Sequence, residues 1–338
     1  MGVYMIWAKT IQWLDDRVRL IDQRKLPLEE VYVDIKTPEE MHNAIKRMVV
    51  RGAPAIGVAA GYGIALAALE NCDRKYLLEK IELIESARPT AYNLFYVGKR
   101  MRKLLERKEI KPALFVKEAI QIHKEDRELT EKLGEYGSAL LPKRSQCMTI
   151  CNAGALATGG IGTALAVFYK AKDQGKEVSV FVPETRPFLQ GARLSSWELK
   201  KNGIETILIA DNAISYILKT EEIDAVFTGA DRIARNGDTA NKIGTYGLAL
   251  SAREHHTPFF VVAPRSTFDL TLNSGNEIPI EERPGEEVKE FRGIQIAPRN
   301  IEVRNPAFDV TPNYLITGIV TEKGVIYPPF RKRISLLK

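Results

Sequence analysis

Five short apolar runs dominate the second half of the chain: CMTIC (147–151), VSVFVPE (178–184), ETILIAD (205–211), IDAVFTGAD (223–231) and TPFFVVAP (257–264). A strand with one wet face would alternate apolar and polar side chains. Strands covered on both faces read as near-continuous apolar runs like these. Stretches with helical spacing lie between them, at 156–173, 189–202, 212–220 and 240–255. This alternation predicts an α/β fold with a mostly parallel sheet wound on both faces by helices. In such sheets ligands bind beyond the carboxyl ends of the strands, so the residues closing each run are the first candidates for chemistry.

The first part of the chain reads differently. VRLIDQRKLP and EEVYVDI predict strands joined by a turn at Pro27. Thr37-Pro38-Glu39-Glu40 is a helix start, with a Thr cap, Pro in the first helical position and acids in the first turn. Helical patterns follow near 54–70, 74–86 and 92–107, with a longer one over 113–140 that Pro142 closes. Two domains are expected: residues 1–126, mainly helical with a short β-sheet, and residues 127–338, the α/β part. A chain of 338 residues suits two domains of about 100–200 residues each. Gly52 to Leu69 is 18 residues without a charge, close to the roughly 20 that a membrane span needs. It is Gly/Ala-rich, contains Pro54 and has no aromatic belt, so a buried, tightly packed helix is predicted instead.

Composition excludes several classes. A chain that is 45% hydrophobic and 27% charged is not disordered. Cys72, Cys147 and Cys151 form an odd set without framework spacing, which predicts free thiols and a reducing, cytoplasmic setting. No metal is expected. The Cys147/Cys151 pair has no second pair, His42 and His123 are isolated, and His255 and His256 would point about 100° apart on a helix. The apolar part of MGVYMIWAKTIQWLDD is too short and too soon charged for a secretory leader. The net charge, 49 − 43 = +6, allows either nucleic acid or an anionic small molecule. The basic runs KRMRKLLERKEIK (99–111) and RKRISLLK (331–338) interleave Leu at helical spacing and lack aromatics. They read as solvated helix faces, not as a nucleic-acid surface.

The strand ends gather one thiol and three carboxylates: Cys151-Asn152, Glu184, Asp211-Asn212 and Gly229-Ala230-Asp231. Asp211 reads equally as a cap or turn former before the next helix. Asp231 follows small apolar residues, where burial would raise a carboxyl pKa and suit a general acid. Cys151 reads as a functional thiol or as core packing, and Cys147 as core. Anion sites are suggested where Arg51-Gly52-Ala53-Pro54 enters a helix, where Asn241-Lys242 begins the 240–255 helix, and where Arg88-Pro89-Thr90 turns between helices. Taken singly, each of these cations also reads as a solvated surface charge. Gly159, Gly160 and Gly162 fall inside the predicted 156–173 helix and suggest close packing. The pattern G-x-G-x-x-G fails because Leu165 occupies its last position, and no P-loop is present, so no dinucleotide cofactor is expected.

Longer motifs carry a family resemblance. RGAPAIG (51–57), RPTAYNLF (88–95), CNAGALATGGIGTA (151–164), ETRPFLQGARL (184–194), GADRIARNGDTANKIGTYG (229–247) and NPAFDVTPNYLITGIVTEKGVIYPP (305–329) resemble the methylthioribose-1-phosphate isomerases along nearly the whole chain. These are aldose–ketose isomerases of methionine salvage. The wider superfamily includes ribose-1,5-bisphosphate isomerases and regulatory subunits of the translation initiation exchange factor. The regulatory subunits lack the catalytic Cys and Asp. The bisphosphate isomerases differ around the CNAGALATGG and RPTAYNL segments, which here match the first family. The resemblance implies a small helical N-terminal domain with a short sheet, a Rossmann-like C-terminal domain and a homodimer; no cofactor is expected. It implies Cys151 and Asp231 as the catalytic pair. It implies a sugar phosphate held by Arg51, Gly52, Ala53, Arg88, Gln190, Asn241 and Lys242. The one departure noted is Tyr92, where the family more often has Val.

Overall fold

Thr37 and Pro38 open a helix as their order predicts. The Thr37 hydroxyl accepts the Glu40 N–H at 3.1 Å, and the helix, α1, runs over Pro38–Lys46. The computed structural model describes residues 9–88, 91–291 and 293–336. The opening octet considered as a leader, Pro89 and Thr90 of the Arg88 turn, and the last two residues of the basic tail lie outside the described residues. The chain divides into two compact units. One runs to Glu131 and also takes in Ala153–Gly162; the other comprises Lys132–Asn152 and the chain from Thr163 onward.

The first unit starts with an antiparallel sheet of β1 (Ile11–Trp13), β2 (Val18–Ile21) and β3 (Tyr32–Ile35). Around α1 pack α2 (Ala53–Glu70), α3 (Arg74–Ser86) and α4 (Tyr92–Leu105), and α5 (Pro112–Ser138) begins here. Helix α2 is the uncharged segment, and it is apolar on every side. Fourteen of its 18 residues are buried, as a core helix requires. It is the one described helix long and apolar enough to cross a bilayer, and 78% of that stretch is buried within the protein. Its glycines allow this packing: a Cβ on Gly63 would lie 2.7 Å from Met41 Cγ.

The second unit is built on seven strands: β4 (Arg144–Met148), β5 (Glu177–Pro183), β6 (Glu205–Ile209), β7 (Ala225–Thr228), β10 (Phe259–Val262), β15 (Gly318–Thr321) and β16 (Gly324–Ile326). Helices α6 (Ala164–Asp173), α7 (Ser196–Lys201), α8 (Ile214–Thr220) and α9 (Thr245–Glu254) connect or flank them, and α11 (Phe330–Ile334) ends the described chain. The sheet order is β16-β15-β10-β7-β4-β5-β6, and every pairing is parallel except β15–β16. Numbered by appearance, the six parallel strands run 3-2-1-4-5-6, the Rossmann order. Phe227 on the central strand β7 stacks on Phe260 at 5.3 Å and meets Phe168 edge-on at 5.8 Å. A smaller sheet joins β8 (Arg232–Ala234), β9 (Thr239–Lys242), β11 (Phe268–Asp269) and β14 (Phe308–Thr311). The short helix α10 (Glu286–Lys289) leads into a ribbon of β12 (Glu290–Phe291) and β13 (Ile294–Gln295).

Three expectations need correction. The 156–173 helix is instead a 3-10 turn at Ala155–Ala157, a glycine loop, and then α6 from Ala164. Gly159, Gly160 and Gly162 therefore lie in the strand–helix connection. Close packing does explain them: a Cβ on Gly160 would fall 2.9 Å from Arg127 Cα, and Gly162 has φ +102°. The 240–255 helix begins only at Thr245, after Gly244 at φ +100°. Asn241 and Lys242 lie on β9, paired with β14, because the backbone groups of this polar segment are satisfied by a distant strand. The run at 147–151 is a strand only to Met148, with polar Arg144 and Gln146 in its first half, so Cys151 lies beyond the strand end.

Candidate active site

The order of strands reverses between β4 and β7, which lie side by side. Cys151 follows β4 by three residues and Asp231 follows β7 by three. The two groups thus leave adjacent strands at the topological switch point, where open α/β sheets bind ligands. Cys151 is half-buried and in no disulfide, and its backbone has φ +63°. Such a left-handed conformation in a residue other than glycine costs about 1–2 kcal/mol. Cys147, by contrast, is fully buried on β4, and burial lifts its thiol to about 12. That is a core cysteine, with negligible thiolate at neutral pH.

Asp231 is exposed, contrary to the apolar burial expected of it. The chain leaves the sheet after Thr228 and turns into the β8–β9 ribbon, carrying the carboxylate with it. Its N–H donates to Ala240 O at 2.9 Å, which seats it beside Asn241. Asn241 is buried and donates to Thr245 Oγ1 at 3.1 Å. Lys242 Nζ lies over the Phe308 ring, 4.3 Å from its centroid. The start of α9 is occupied by Asp309, whose carboxylate accepts the N–H of Gly244 at 2.7 Å and of Tyr246 at 3.1 Å. Burial pushes the Asp309 carboxyl up to about 6, against the pull of those two donors and of Lys242. Asp309 thus takes two of the backbone donors at the start of α9, which leaves the Asn241 and Lys242 side chains as the candidates to hold an anion here.

The loop after β5 carries Gln190, which is buried, with its Oε1 lacking a hydrogen-bond partner among the described residues. Gln190 leads into a π-helical turn over Gly191–Ser195, a rare geometry found disproportionately at functional sites. Gly191 is needed there, since a Cβ would sit 1.8 Å from Pro183 O. Asp211, at the end of β6, has its carboxylate on the N–H groups of Thr185 at 2.7 Å and Arg186 at 2.6 Å. It shapes the loop that presents Gln190. Glu184 is half-buried, with its backbone joined to Ile209 and Ala192.

The remaining candidates belong to the first unit. Arg51 is buried, and Gly52 is the N-cap of α2 at φ +94°, with no side-chain cap hydrogen bond among the described residues and no acid in the first turn. Ala53 is half-buried and opens the helix. A Cβ on Gly52 would lie 2.5 Å from Ala157 Cα, so the arginine loop rests directly on the backbone just past Cys151-Asn152. That backbone is held by Thr10 Oγ1, which donates to Ala155 O at 2.7 Å, and by Gln23 Nε2, which donates to Leu156 O at 2.7 Å. Helix α5 grips the following glycine loop. His123 Nε2 donates to Gly159 O and accepts Tyr62 OH on Nδ1, both at 2.8 Å, and burial holds its pKa below the usual value. Arg88 is half-buried.

Sequence reasoning missed Thr185, Asp309 and His123. Each acts through a partner tens of residues away, and only the ETRP and NPAFDV motifs held a local sign of the first two.

Fold and site together define a Rossmann-type α/β protein with a thiol and a carboxylate at its switch point. The chain belongs to the initiation factor 2 subunit family, whose model matches residues 49–328, and within it to the methylthioribose-1-phosphate isomerases. It is 52% identical over 334 residues to the methylthioribose-1-phosphate isomerase of Thermotoga neapolitana, covering 97% of each chain. The crystal structure of 5-methylthioribose 1-phosphate isomerase from Pyrococcus horikoshii matches with a TM-score of 0.92 at 45% identity, over 98% of this chain and 96% of that one. A structure described as the translation initiation factor eIF-2B, subunit delta, from A. fulgidus matches with a TM-score of 0.88 at 44% identity, over 96% of this chain and 97% of that one.

Proposed function

We propose that this protein converts 5-methylthioribose 1-phosphate to 5-methylthioribulose 1-phosphate in methionine salvage, with Cys151 and Asp231 as the reacting pair. The observation that carries the reading is the placement of this thiol and this carboxylate after two adjacent strands at the switch point. The substrate is a furanose whose anomeric oxygen bears the phosphate, so it cannot open spontaneously to an aldehyde. Ring opening therefore needs a proton delivered to the ring oxygen, the role assigned to Asp231. Bound substrate must cover this exposed carboxyl for it to act as an acid. Hydrogen then moves from C2 to C1. Cys151 either carries a proton through an enolate-like species or stabilises the charge that develops during a hydride shift.

Arg51 and the start of α2, at Gly52 and Ala53 and with no acid in its first turn, suit the phosphate. Lys242 offsets charge, and Arg88, Asn241 and the buried Gln190 amide supply further polar contacts. The protein is taken to work in the cytoplasm as a homodimer, on the strength of cysteines that form no disulfide and of the family resemblance.

Replacement of Asp231 by Asn is expected to reduce turnover about 10²-fold or more, the usual worth of a positioned acid. Near-normal turnover in that variant would sink the assignment. Activity on ribose 1,5-bisphosphate equal to that on the methylthio sugar would overturn the substrate reading. Turnover in deuterated water separates the two hydrogen routes, since deuterium at C1 of the product marks proton transfer.

A further inference from the structure

Cys151, Thr185 and Leu189 share an unusual property. Each has a positive φ near 60° without being glycine, and all three lie where β4 and β5 end side by side. Thr185 is the most telling, because a β-branched residue in this conformation is a genuine outlier. Strain of this kind persists only where surrounding bonds over-determine it.

Those bonds are present. Thr185 is 1% exposed, and its hydroxyl is used in both senses: Oγ1 accepts the N–H of Cys151 at 2.9 Å and donates to Pro183 O at 3.1 Å. The Asp211 carboxylate holds the Thr185 N–H, and Leu189 N–H donates to Thr185 O at 2.8 Å. On its other side, Cys151 O accepts the hydroxyl of buried Ser195 at 2.6 Å. Both peptide groups flanking the Cys151 Cα are thus pinned by side-chain hydroxyls. Without the Thr185 hydroxyl, the strained φ of Cys151 has a downhill path towards negative values, and the thiol would turn with its Cα.

We propose that Thr185, anchored by Asp211, is a positioning residue that fixes the Cys151 thiol for reaction through its hydroxyl. This rests on the reading of Cys151 as a reacting group. The carboxylate that sequence left open between cap and chemistry acts here at one remove, through Thr185.

The test uses the full chain with Thr185→Val, Thr185→Ser and Cys151→Ala. Steady-state kinetics on 5-methylthioribose 1-phosphate are measured beside the pH profile of Cys151 alkylation by iodoacetamide, read on the peptide by mass spectrometry. Thr185→Val is expected to lose about tenfold or more in kcat, the low end of what a misplaced reacting group costs, with KM within about twofold. Its Cys151 alkylation profile should shift. Thr185→Ser keeps the oxygen and should stay within about twofold of the parent in all three readings. If Thr185→Val does not fold, Asp211→Asn takes its place with the same expected split. Normal kcat and an unshifted alkylation profile in Thr185→Val, with Cys151→Ala inert, overturn this inference alone. Equal losses in the Ser and Val variants also overturn it, since the methyl packing would then matter and not the hydroxyl. An active Cys151→Ala overturns the reading on which it rests.

Discussion

Gly52 offers the sharpest test of the first unit. Substituting Ala there creates two separate problems. The backbone stands at φ +94° and ψ 131°, a region essentially reserved for glycine; an L side chain held there costs about 1–3 kcal/mol. The added Cβ would also meet Ala157 Cα and O at 2.5 Å each, both backbone atoms that cannot swing aside. Forcing a methyl into a packed site costs a further ~1–3 kcal/mol, for a sum of about 2–6 kcal/mol. Gly175 supplies the control. It has φ +76° with nothing within 4 Å of its Cβ position, so Gly175→Ala should lose only the conformational part, about 1–2 kcal/mol. Urea unfolding followed by circular dichroism should place the Gly52→Ala midpoint clearly below that of Gly175→Ala. If the arginine loop relieves the clash by moving, the α2 donors move with it, and KM for the sugar phosphate should rise about tenfold. Coincident midpoints for the two variants, with KM unchanged in Gly52→Ala, would refute the contact between this loop and the Ala157 backbone.

Two further outcomes follow from the first unit. Burial pushes the Asp126 carboxyl up to about 6, against the N–H bonds from Gly159 and Gly160. Its folded pKa lies above its unfolded value near 4, so its contribution is complete below pH about 4 and lost as pH rises through 6. Asp126→Asn should therefore show a shallower fall in stability between pH 4 and 7 than the parent, and parallel profiles would refute the shift. Tyr92 is 57% exposed and stacks loosely on Tyr96, with ring centroids 6.4 Å apart and planes inclined by 27°. Tyr92→Val should change stability by no more than about 0.5 kcal/mol and leave kcat/KM within about twofold, as coupled assays can measure; a tenfold loss would show that this position shapes the substrate fit.

What was legible in the sequence was whatever neighbours along the chain decide. The five apolar runs found the parallel sheet, the Thr37-Pro38 pair found a helix start, and the Gly/Ala run of α2 announced a buried helix. Misreadings arose where distant partners decide. Ala, Leu and Ile around 155–165 give helical spacing, yet His123, Asp126 and Thr130 on α5 hold the glycine loop out of a helix. Thr239 to Lys242 carries no strand signal of its own and becomes β9 because β14 lies alongside. Asp231 follows small apolar residues, but composition does not say that the chain turns outward there. The site followed the same division. Cys151 and Asp231 were visible as strand-end residues, whereas Gln190 was reached only through the resemblance, and Thr185 emerged only with the structure.

The strand order has a consequence for how the second unit can be built. Strand β4 is made first and ends in the middle of the sheet. Strand β5 then adds to one of its sides and β6 beyond it. Strand β7 adds to the other side, followed outward by β10, β15 and β16. No strand has to wedge between two that are already paired, so the sheet can grow during synthesis by edge addition alone, in the order in which the ribosome delivers it. The strand that leads to Cys151 is thus the seed of that growth, and both of its neighbours can be in place before the outer half of the sheet exists.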